Sequence, residues 1–259
     1  MESGCYTMVN GARLYYEKSG TGIPVIFLHT AGTDGRVWKE FVSMLPEGVT
    51  AIVPDLPGHG KSWPWKQWRK RRIDVRYYSR SVLEMMESTG IDKAIIVGCS
   101  IGADVVLDIC SQHPEKVIKG LVLEGAARTD TFEVDTIMKT ETGNIERAFD
   151  FCGTLSYKES MENLIWIRSS NNRDIYINDL LAWNSFDIAH EIDGCKSEIY
   201  LIRGSEDPVV TEEMQVETSK FLPNSHLITL EGLGHYPMLE RPDICLDALK
   251  GLLVDEKQA

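Results

Sequence analysis

The chain has 259 residues, 43% of them hydrophobic and 25% charged. That balance excludes a disordered, collagen-like or coiled-coil chain, and the length fits one core with a modest insertion rather than two large domains. Lys plus Arg total 27 against 39 Asp plus Glu, a net charge of -12, which repels polyanions and argues against nucleic acid as a partner.

Tyr6 to Val9 and Arg13 to Glu17 flank Asn10-Gly11, a dipeptide that favours the primed turn of a two-residue β-hairpin. Val25-Ile26-Phe27-Leu28 follows as an apolar run of strand length and ends in the turn His29-Thr30-Ala31-Gly32. Similar runs recur at Thr50 to Val53, Ala94 to Val97, Leu121 to Leu123, Ile199 to Ile202 and Leu227 to Leu230. Helical patterns lie between or after them at Val37 to Leu45, Asp74 to Glu87, Ala103 to Cys110, Thr211 to Lys220 and Arg241 to Leu253. Apolar strands alternating with helices indicate an α/β fold with a mainly parallel sheet covered on both faces.

From about Thr129 to Asp193 the alternation stops. No strong strand run appears, and residues such as Phe132, Ile137, Leu164, Ile167, Ile177 and Trp183 recur at roughly helical spacing. The expected organisation is therefore a core of residues 1–128 and 194–259, with residues 129–193 as a helical lid over the carboxyl ends of the strands.

The strand Ala94 to Val97 runs directly into Gly98-Cys99-Ser100-Ile101-Gly102, and a helical pattern starts at Ala103. This is G-x-S-x-G in strand-turn-helix context, a tight turn that lifts the serine hydroxyl into the open and lets neighbouring backbone approach the flanking glycines. The Ile101 amide, at the start of the helix, faces any oxyanion formed beside Ser100. A serine nucleophile needs a base and an orienting acid, which on this arrangement follow in the order serine, acid, histidine.

Asp207, in the loop after the strand Ile199 to Ile202, is the expected acid, and His235, in the glycine-flanked loop after Leu227 to Leu230, the expected base. Glu206 and Glu124 are alternative acids and His29 and His59 alternative bases. His113, His190 and His226 read as surface or structural. Cys99, one residue off the apex, is the weaker thiol alternative.

The hairpin, His29 to Gly32, Asp55-Leu56-Pro57-Gly58-His59-Gly60-Lys61-Ser62, the elbow around Ser100, Gly204 to Asp207 and Gly234-His235 together resemble the α/β-hydrolase fold family, in its serine esterase and lactonase-like branch. The resemblance covers nearly the whole chain in order. It implies an eight-stranded sheet with an N-terminal antiparallel hairpin, and acyl transfer in which Ser100, Asp207 and His235 are catalytic. The Ala31 and Ile101 amides would hold the oxyanion. Thr30 stands where the family's oxyanion loop has its first glycine, so its hydroxyl can add a donor or its bulk narrow the acyl pocket. Serine at position 100 sets the chain apart from the dehalogenase and epoxide hydrolase branches, which carry aspartate there.

No cofactor or metal is implied; the substrate is expected to be a small-molecule ester or lactone. Carbon-carbon bond hydrolysis of vinylogous diketones and a silent ligand-binding scaffold remain the alternatives. Trp38, Trp166, Trp183 and Tyr236 are candidates for the substrate pocket.

Trp63 to Arg72 interleaves aromatics with basic residues and reads as a solvated stretch whose tryptophans pack locally. If it has a role, that role is neutralising a substrate carboxylate. The six cysteines, Cys5, Cys99, Cys110, Cys152, Cys195 and Cys245, are scattered with no C-x-x-C pair, so reduced thiols are expected rather than disulfides or a zinc site. No apolar run approaches the ~20 residues of a membrane span, the first residues lack the pattern of a signal peptide, and a cytoplasmic location is expected. The sequence is compatible with a homo-oligomer.

Overall fold

The computed structural model describes residues 3–129, 132–138 and 149–254. The expected lid is thus described apart from residues 130, 131 and 139–148, and residues 1, 2 and 255–259 of the expected core also lie outside the described range.

The strands are β1 (Ser3–Val9), β2 (Ala12–Gly20), β3 (Gly22–Leu28), β4 (Gly48–Pro54), β5 (Ala94–Cys99), β6 (Val117–Leu123), β7 (Ile199–Gly204) and β8 (Ser225–Leu230). They form one eight-stranded sheet in the order β1-β2-β4-β3-β5-β6-β7-β8. β1 and β2 form the expected antiparallel hairpin, with Asn10 and Gly11 both at positive φ in its turn. β2 pairs antiparallel with β4, and from β4 to β8 every neighbouring pair is parallel.

The helices are α1 (Lys39–Ser43), α2 (Val75–Thr89), α3 (Ile101–Gln112), α4 (Val134–Met138), α5 (Lys158–Ser169), α6 (Arg173–Asn184), α7 (Glu212–Ser219), α8 (Pro237–Glu240) and α9 (Pro242–Leu249). Asp74 caps α2 by accepting from the Tyr77 amide, and Thr211 caps α7 by accepting from the Met214 amide, which sets both starts where short polar side chains satisfy otherwise unpaired donors. The single helix expected over Arg241 to Leu253 is instead preceded by α8 and starts only at Pro242. The residue before a proline avoids helical backbone, and Arg241 is accordingly held at φ -144 and ψ 76. α4, α5 and α6 lie between β6 and β7, in the stretch expected to be helical.

Alternation along the central strands feeds two cores. Ile26, Leu28, Ala94 and Ile96 pack on the face carrying α2 and α3. Val25, Phe27, Ile95 and Val97 pack on the face carrying α1, α8 and α9. Among the described residues no disulfide joins the cysteines, and Cys99, Cys110 and Cys245 are buried. Among the described residues no helix is long and apolar enough to cross a membrane.

Phe27 anchors the second core, with its ring centroid 5.2 Å from Trp38 and 5.8 Å from Phe41. Phe27→Ala is expected to destabilise the fold by about 3–5 kcal/mol through lost burial and an unfilled cavity, measured as a drop in the denaturant midpoint at unchanged m-value.

Candidate active site

The turn from β5 to α3 leaves no room for side chains on either flank. A Cβ on Gly98 would lie 2.1 Å from the Gly102 carbonyl oxygen, and one on Gly102 would lie 2.7 Å from the carbonyl oxygens of Leu28 and His29. The chain closes this turn by holding Ser100 at φ 57 and ψ -121, while the Ser100 amide donates to the Leu123 carbonyl on β6 at 2.9 Å. Such backbone costs about 1–3 kcal/mol and persists only where its surroundings enforce it.

Asp207 and His235 come together from the loops after β7 and β8. His235 Nδ1 lies 2.8 Å from Asp207 Oδ2, and both side chains are buried. The Val209 amide donates to Asp207 Oδ1 at 2.8 Å, and the His235 amide donates to the Phe151 carbonyl at 2.7 Å. With Nδ1–H given to the carboxylate, Nε2 is the nitrogen left to take a proton. Burial alone would raise the Asp207 pKa, but the charge and hydrogen bond of His235, with the hydrogen bond from the Val209 amide, leave it below its ordinary value. Ser100 and His235 line one cavity, with no direct hydrogen bond between them among the described contacts, a spacing common before substrate binds.

Glu124, weighed as an acid from sequence, ends β6 at φ 50 and is fully buried beside Asp207. Burial first and then the Asp207 charge push its carboxyl well above the ordinary range. Its Oε1 accepts from the Gly204 amide at 2.5 Å, and its Oε2 is buried with no hydrogen-bond partner among the described residues. Glu124, Asp207 and His235 are close enough to suggest a metal site. His235 Nδ1 and Asp207 Oδ2 are instead engaged with each other through a proton, and the Glu124 carboxyl beside them is pushed toward its neutral form.

Glu206 points elsewhere, accepting from the Thr154 amide and hydroxyl, each at 2.8 Å. The Cys99 thiol donates to the His235 carbonyl at 3.3 Å and burial pushes its pKa well up, so it is not a thiolate near neutrality. His113, His190 and His226 are exposed.

His29 and His59 hold the loop after β3. The Leu56 amide donates to His29 Nε2 at 2.9 Å, which makes that ring the neutral Nδ1–H tautomer. Burial and the neighbouring His59 take its pKa down to about 4. His59 faces acceptors on both sides, Asp179 Oδ2 at 2.8 Å and the Leu56 carbonyl at 3.3 Å. Burial opposes its charge, but the Asp179 charge and hydrogen bond outweigh burial and raise its pKa, which favours the imidazolium form. Asp179, from α6, also accepts from the Gly32 amide at 2.9 Å and the Tyr78 hydroxyl at 2.6 Å. Gly32 sits at φ 63 with the Tyr176 ring 2.6 Å from where a Cβ would be. This leaves the Ala31 amide next along the loop. Neither it nor the Ile101 amide donates to another group among the described residues.

The cavity over Ser100 is lined by Thr30, Ala31, His235 and a mostly aromatic wall, with free space of only about 30 Å³. Trp183 and Tyr236 are in that wall. Trp38 is not: it is buried against Phe27 and Phe41 in the second core, because the 3-10 turn before α1 faces the sheet. Trp166 is 73% exposed, since Leu164 and Ile167 take the buried face of α5. Within the Trp63 to Arg72 stretch, Trp65 is buried with its indole N–H on the Arg71 carbonyl at 2.6 Å and Arg69 stacks on Trp68. None of that stretch lines the cavity.

Sequence reading missed three residues. Asp179 is one. Glu240 accepts at 2.8 Å from the amides of Gly153, Gly234 and Tyr236, which clamps the His235 loop to the segment beside it. Arg168, on α5, reaches the cavity wall and donates to the Tyr236 hydroxyl at 2.7 Å. The available signal was a polar residue in register with a buried apolar stripe: Asp179 shares the i, i+4, i+7 face of Ile175 and Ala182, and Arg168 lies four residues after Leu164.

A family model described as the alpha/beta hydrolase family matches residues 25–248. Among relatives, a 2-hydroxy-6-oxo-6-phenylhexa-2,4-dienoate hydrolase of Burkholderia cepacia is 23% identical over 254 residues, 89% of this chain and 87% of that one. A pimeloyl-(acyl-carrier protein) methyl ester esterase of Aromatoleum aromaticum is 25% identical over 249 residues, 85% of this chain and 94% of that one. Alignment to a Mycobacterium phage D29 relative is partial, covering 49% of this chain and 45% of that one. The solved enol-lactonase from Burkholderia xenovorans LB400 superposes with a TM-score of 0.86 at 19% identity, covering 96% of this chain and 99% of that one.

The buried pair of Asp179 and His59 is expected to carry a pH signature. A histidine whose pKa is raised on folding stabilises fully below its unfolded value of ~6.5 and loses that contribution as pH rises through the folded value. Asp179→Asn should therefore lower stability by on the order of 3 kcal/mol near pH 6, with the gap from wild type narrowing as pH rises through the His59 pKa, followed by denaturant unfolding at a series of pH values.

Proposed function

The chain belongs to the alpha/beta hydrolase family, and on that premise we propose that it is a serine hydrolase of small carboxylic esters or lactones working through an acyl-enzyme on Ser100. The observation that carries this reading is the buried His235–Asp207 pair at 2.8 Å, which leaves Nε2 of His235 free of Asp207 in the same cavity as a serine held on a strained turn.

In this reading Ser100 Oγ attacks the ester carbonyl as its proton passes to His235 Nε2. Asp207 stabilises the imidazolium that forms. The Ala31 and Ile101 amides donate to the oxyanion, with the α3 N-terminus behind it, and the Thr30 hydroxyl lies close by in the wall. Collapse breaks the bond to the leaving alcohol, which takes the proton from His235. A water then gives its proton to His235 and attacks the acyl carbon, and the returning proton frees Ser100 and the acid. Glu124, pushed toward its neutral form by burial and the Asp207 charge, places no second full negative charge beside Asp207. In this reading α5 and α6 form the described part of a cap over the site.

Carbon-carbon hydrolysis of a vinylogous diketone is the second reading, supported by the near full-length match to the Burkholderia cepacia dienoate hydrolase. The same serine and histidine would serve it. Turnover of such a diketone without ester turnover would favour it, and failure of a fluorophosphonate to label Ser100 in folded protein would favour a silent binding scaffold.

The experiment is hydrolysis of p-nitrophenyl esters from acetate to dodecanoate by wild type and Ser100→Ala. The variant is expected to lose on the order of 10⁴-fold or more in kcat. The small free volume, about that of one water, should favour acetate to butyrate over dodecanoate by at least ~10-fold in kcat/KM, because each methylene that fits contributes only ~0.8 kcal/mol while one that does not must displace the wall. Full activity in Ser100→Ala would overturn the assignment.

A further inference from the structure

Several arginines on this protein's surface find carboxylates. Arg36 pairs with Asp34, Arg76 with Asp108 and Glu191, Arg128 with Asp187, and Arg241 with Asp243. Arg168 differs. It stands in the wall of the Ser100 cavity, and among the described residues no Asp or Glu lies within ion-pair distance of it. Its guanidinium packs over the rings of Tyr176 and Tyr236, 5.3 and 5.6 Å from their centroids. One N–H is given to the Tyr236 hydroxyl at 2.7 Å, and its Nε–H is buried with no acceptor.

The surrounding groups do not supply the missing negative charge. The Tyr236 phenol is pushed up by burial and the Cys152 thiol is pushed up to about 12 by burial, so both stay neutral. A guanidinium cannot shed its proton to escape the problem. An unpaired cation that is partly buried, with its Nε out of contact with water, is costly, and a neutral side chain would fill the same space without that cost. Opposite Arg168 the wall is apolar, formed by Phe132, Phe151, Leu180, Trp183 and Val209. A ligand in this cavity therefore meets an apolar surface, a nucleophile and one fixed positive charge whose free N–H lacks an acceptor.

We propose that the substrate is an anionic ester or lactone, bearing a carboxylate that Arg168 receives while Ser100 attacks the ester carbonyl at the other end. This deepens the serine-hydrolase reading and rests on it. The planar fork of a guanidinium matches a carboxylate in two parallel hydrogen bonds, and the small cavity favours a planar carboxylate over a bulkier tetrahedral anion. Two-point binding fixes the distance from anion to carbonyl, so a short spacer between the two groups is part of the specificity. Arg168 is thus a substrate-binding residue contributed by α5, and it takes the role that the Trp63 to Arg72 stretch, outside the cavity, does not fill.

The test uses two esters of matched shape, mono-4-nitrophenyl succinate and 4-nitrophenyl 4-methylpentanoate, which differ by a carboxylate in place of an isopropyl group. Wild type is expected to prefer the succinate by at least ~10-fold in kcat/KM, and Arg168→Met to lower the ratio of the two by on the order of 10²-fold, as for other buried charge-assisted contacts. Arg168→Lys should keep part of the preference. Because the readout is a ratio within one preparation, partial misfolding of a variant does not mimic it.

A wild type indifferent to the carboxylate, or a preference that survives in Arg168→Met, overturns the proposal. A separate binding arm removes the chemistry: calorimetric titration of Ser100→Ala with monomethyl succinate, repeated in Ser100→Ala/Arg168→Met. Binding lost with Arg168 supports the anion seat even if neither nitrophenyl ester is turned over, whereas absence of binding in both proteins overturns it. Tighter binding of inorganic phosphate than of monomethyl succinate overturns the choice of carboxylate. Failure of a fluorophosphonate to label Ser100 in wild type marks the separate failure of the serine-hydrolase reading.

Discussion

The turn between β5 and α3 is so tight that the Gly98 Cα hydrogens stand where any other residue would strike the Gly102 carbonyl, 2.1 Å from a Cβ position. Much of the molecule's arrangement follows from that approach. It places α3 against β5 and β6, it forces Ser100 out of ordinary backbone geometry, and it aims the first amides of α3 at the space above the sheet. Gly102, in turn, brings α3 against the backbone of Leu28 and His29, so the loop that carries Ala31 is positioned by the same packing. The site is thereby built from the ends of strands adjacent in one parallel sheet, where carboxyl termini gather and where loops are free to vary.

Around that turn the protein buries several carboxylates and engages them in separate sets. Asp207 is shared between His235 and the Val209 amide; Asp179 is shared among His59, Tyr78 and the Gly32 amide; Glu240 receives amides from both sides of the His235 loop. Each carboxylate joins segments distant in sequence, so each is a constraint on loop position rather than a source of net stability. Asp207 fixes the tautomer of His235 and Asp179 fixes the loop beside Ala31. Both sets act on the geometry of the groups that would handle a developing oxyanion and a moving proton, and geometry of that kind is where mutational effects on rate concentrate.

The strands of this fold were legible because apolar runs bounded by turn residues have a local cause, and the Asn10-Gly11 hairpin and the Gly98 to Gly102 elbow are likewise written in a few adjacent residues. Asp207 and His235 were legible through chain order. The pocket was not. Trp38 and Trp166 are tryptophans like Trp183, and only the direction in which each helix face points decides that the first fills the core, the second meets solvent and the third lines the cavity. Asp179 and Arg168 were missed for a related reason. Helical periodicity identifies a buried face from its apolar members and passes over a charged residue on the same face, although that residue is where tertiary partners matter most.

Arg168 and Asp179 sit on the consecutive helices α5 and α6 and face the same region from different sides. Asp179 is satisfied internally, with three donors already in place, so α6 is held to the loop after β3 whether or not ligand is present. Arg168 lacks an anion among the described residues, so α5 gains a charge-assisted contact only when a ligand brings one. α5 is therefore the helix whose contacts a ligand would add to. On the proposed reading, the carboxylate that seats on Arg168 takes the place of water in the space over Ser100, where fewer waters strengthen each hydrogen bond offered to the oxyanion. Specificity and shielding would come from one contact, so losing the Arg168 charge would disturb both.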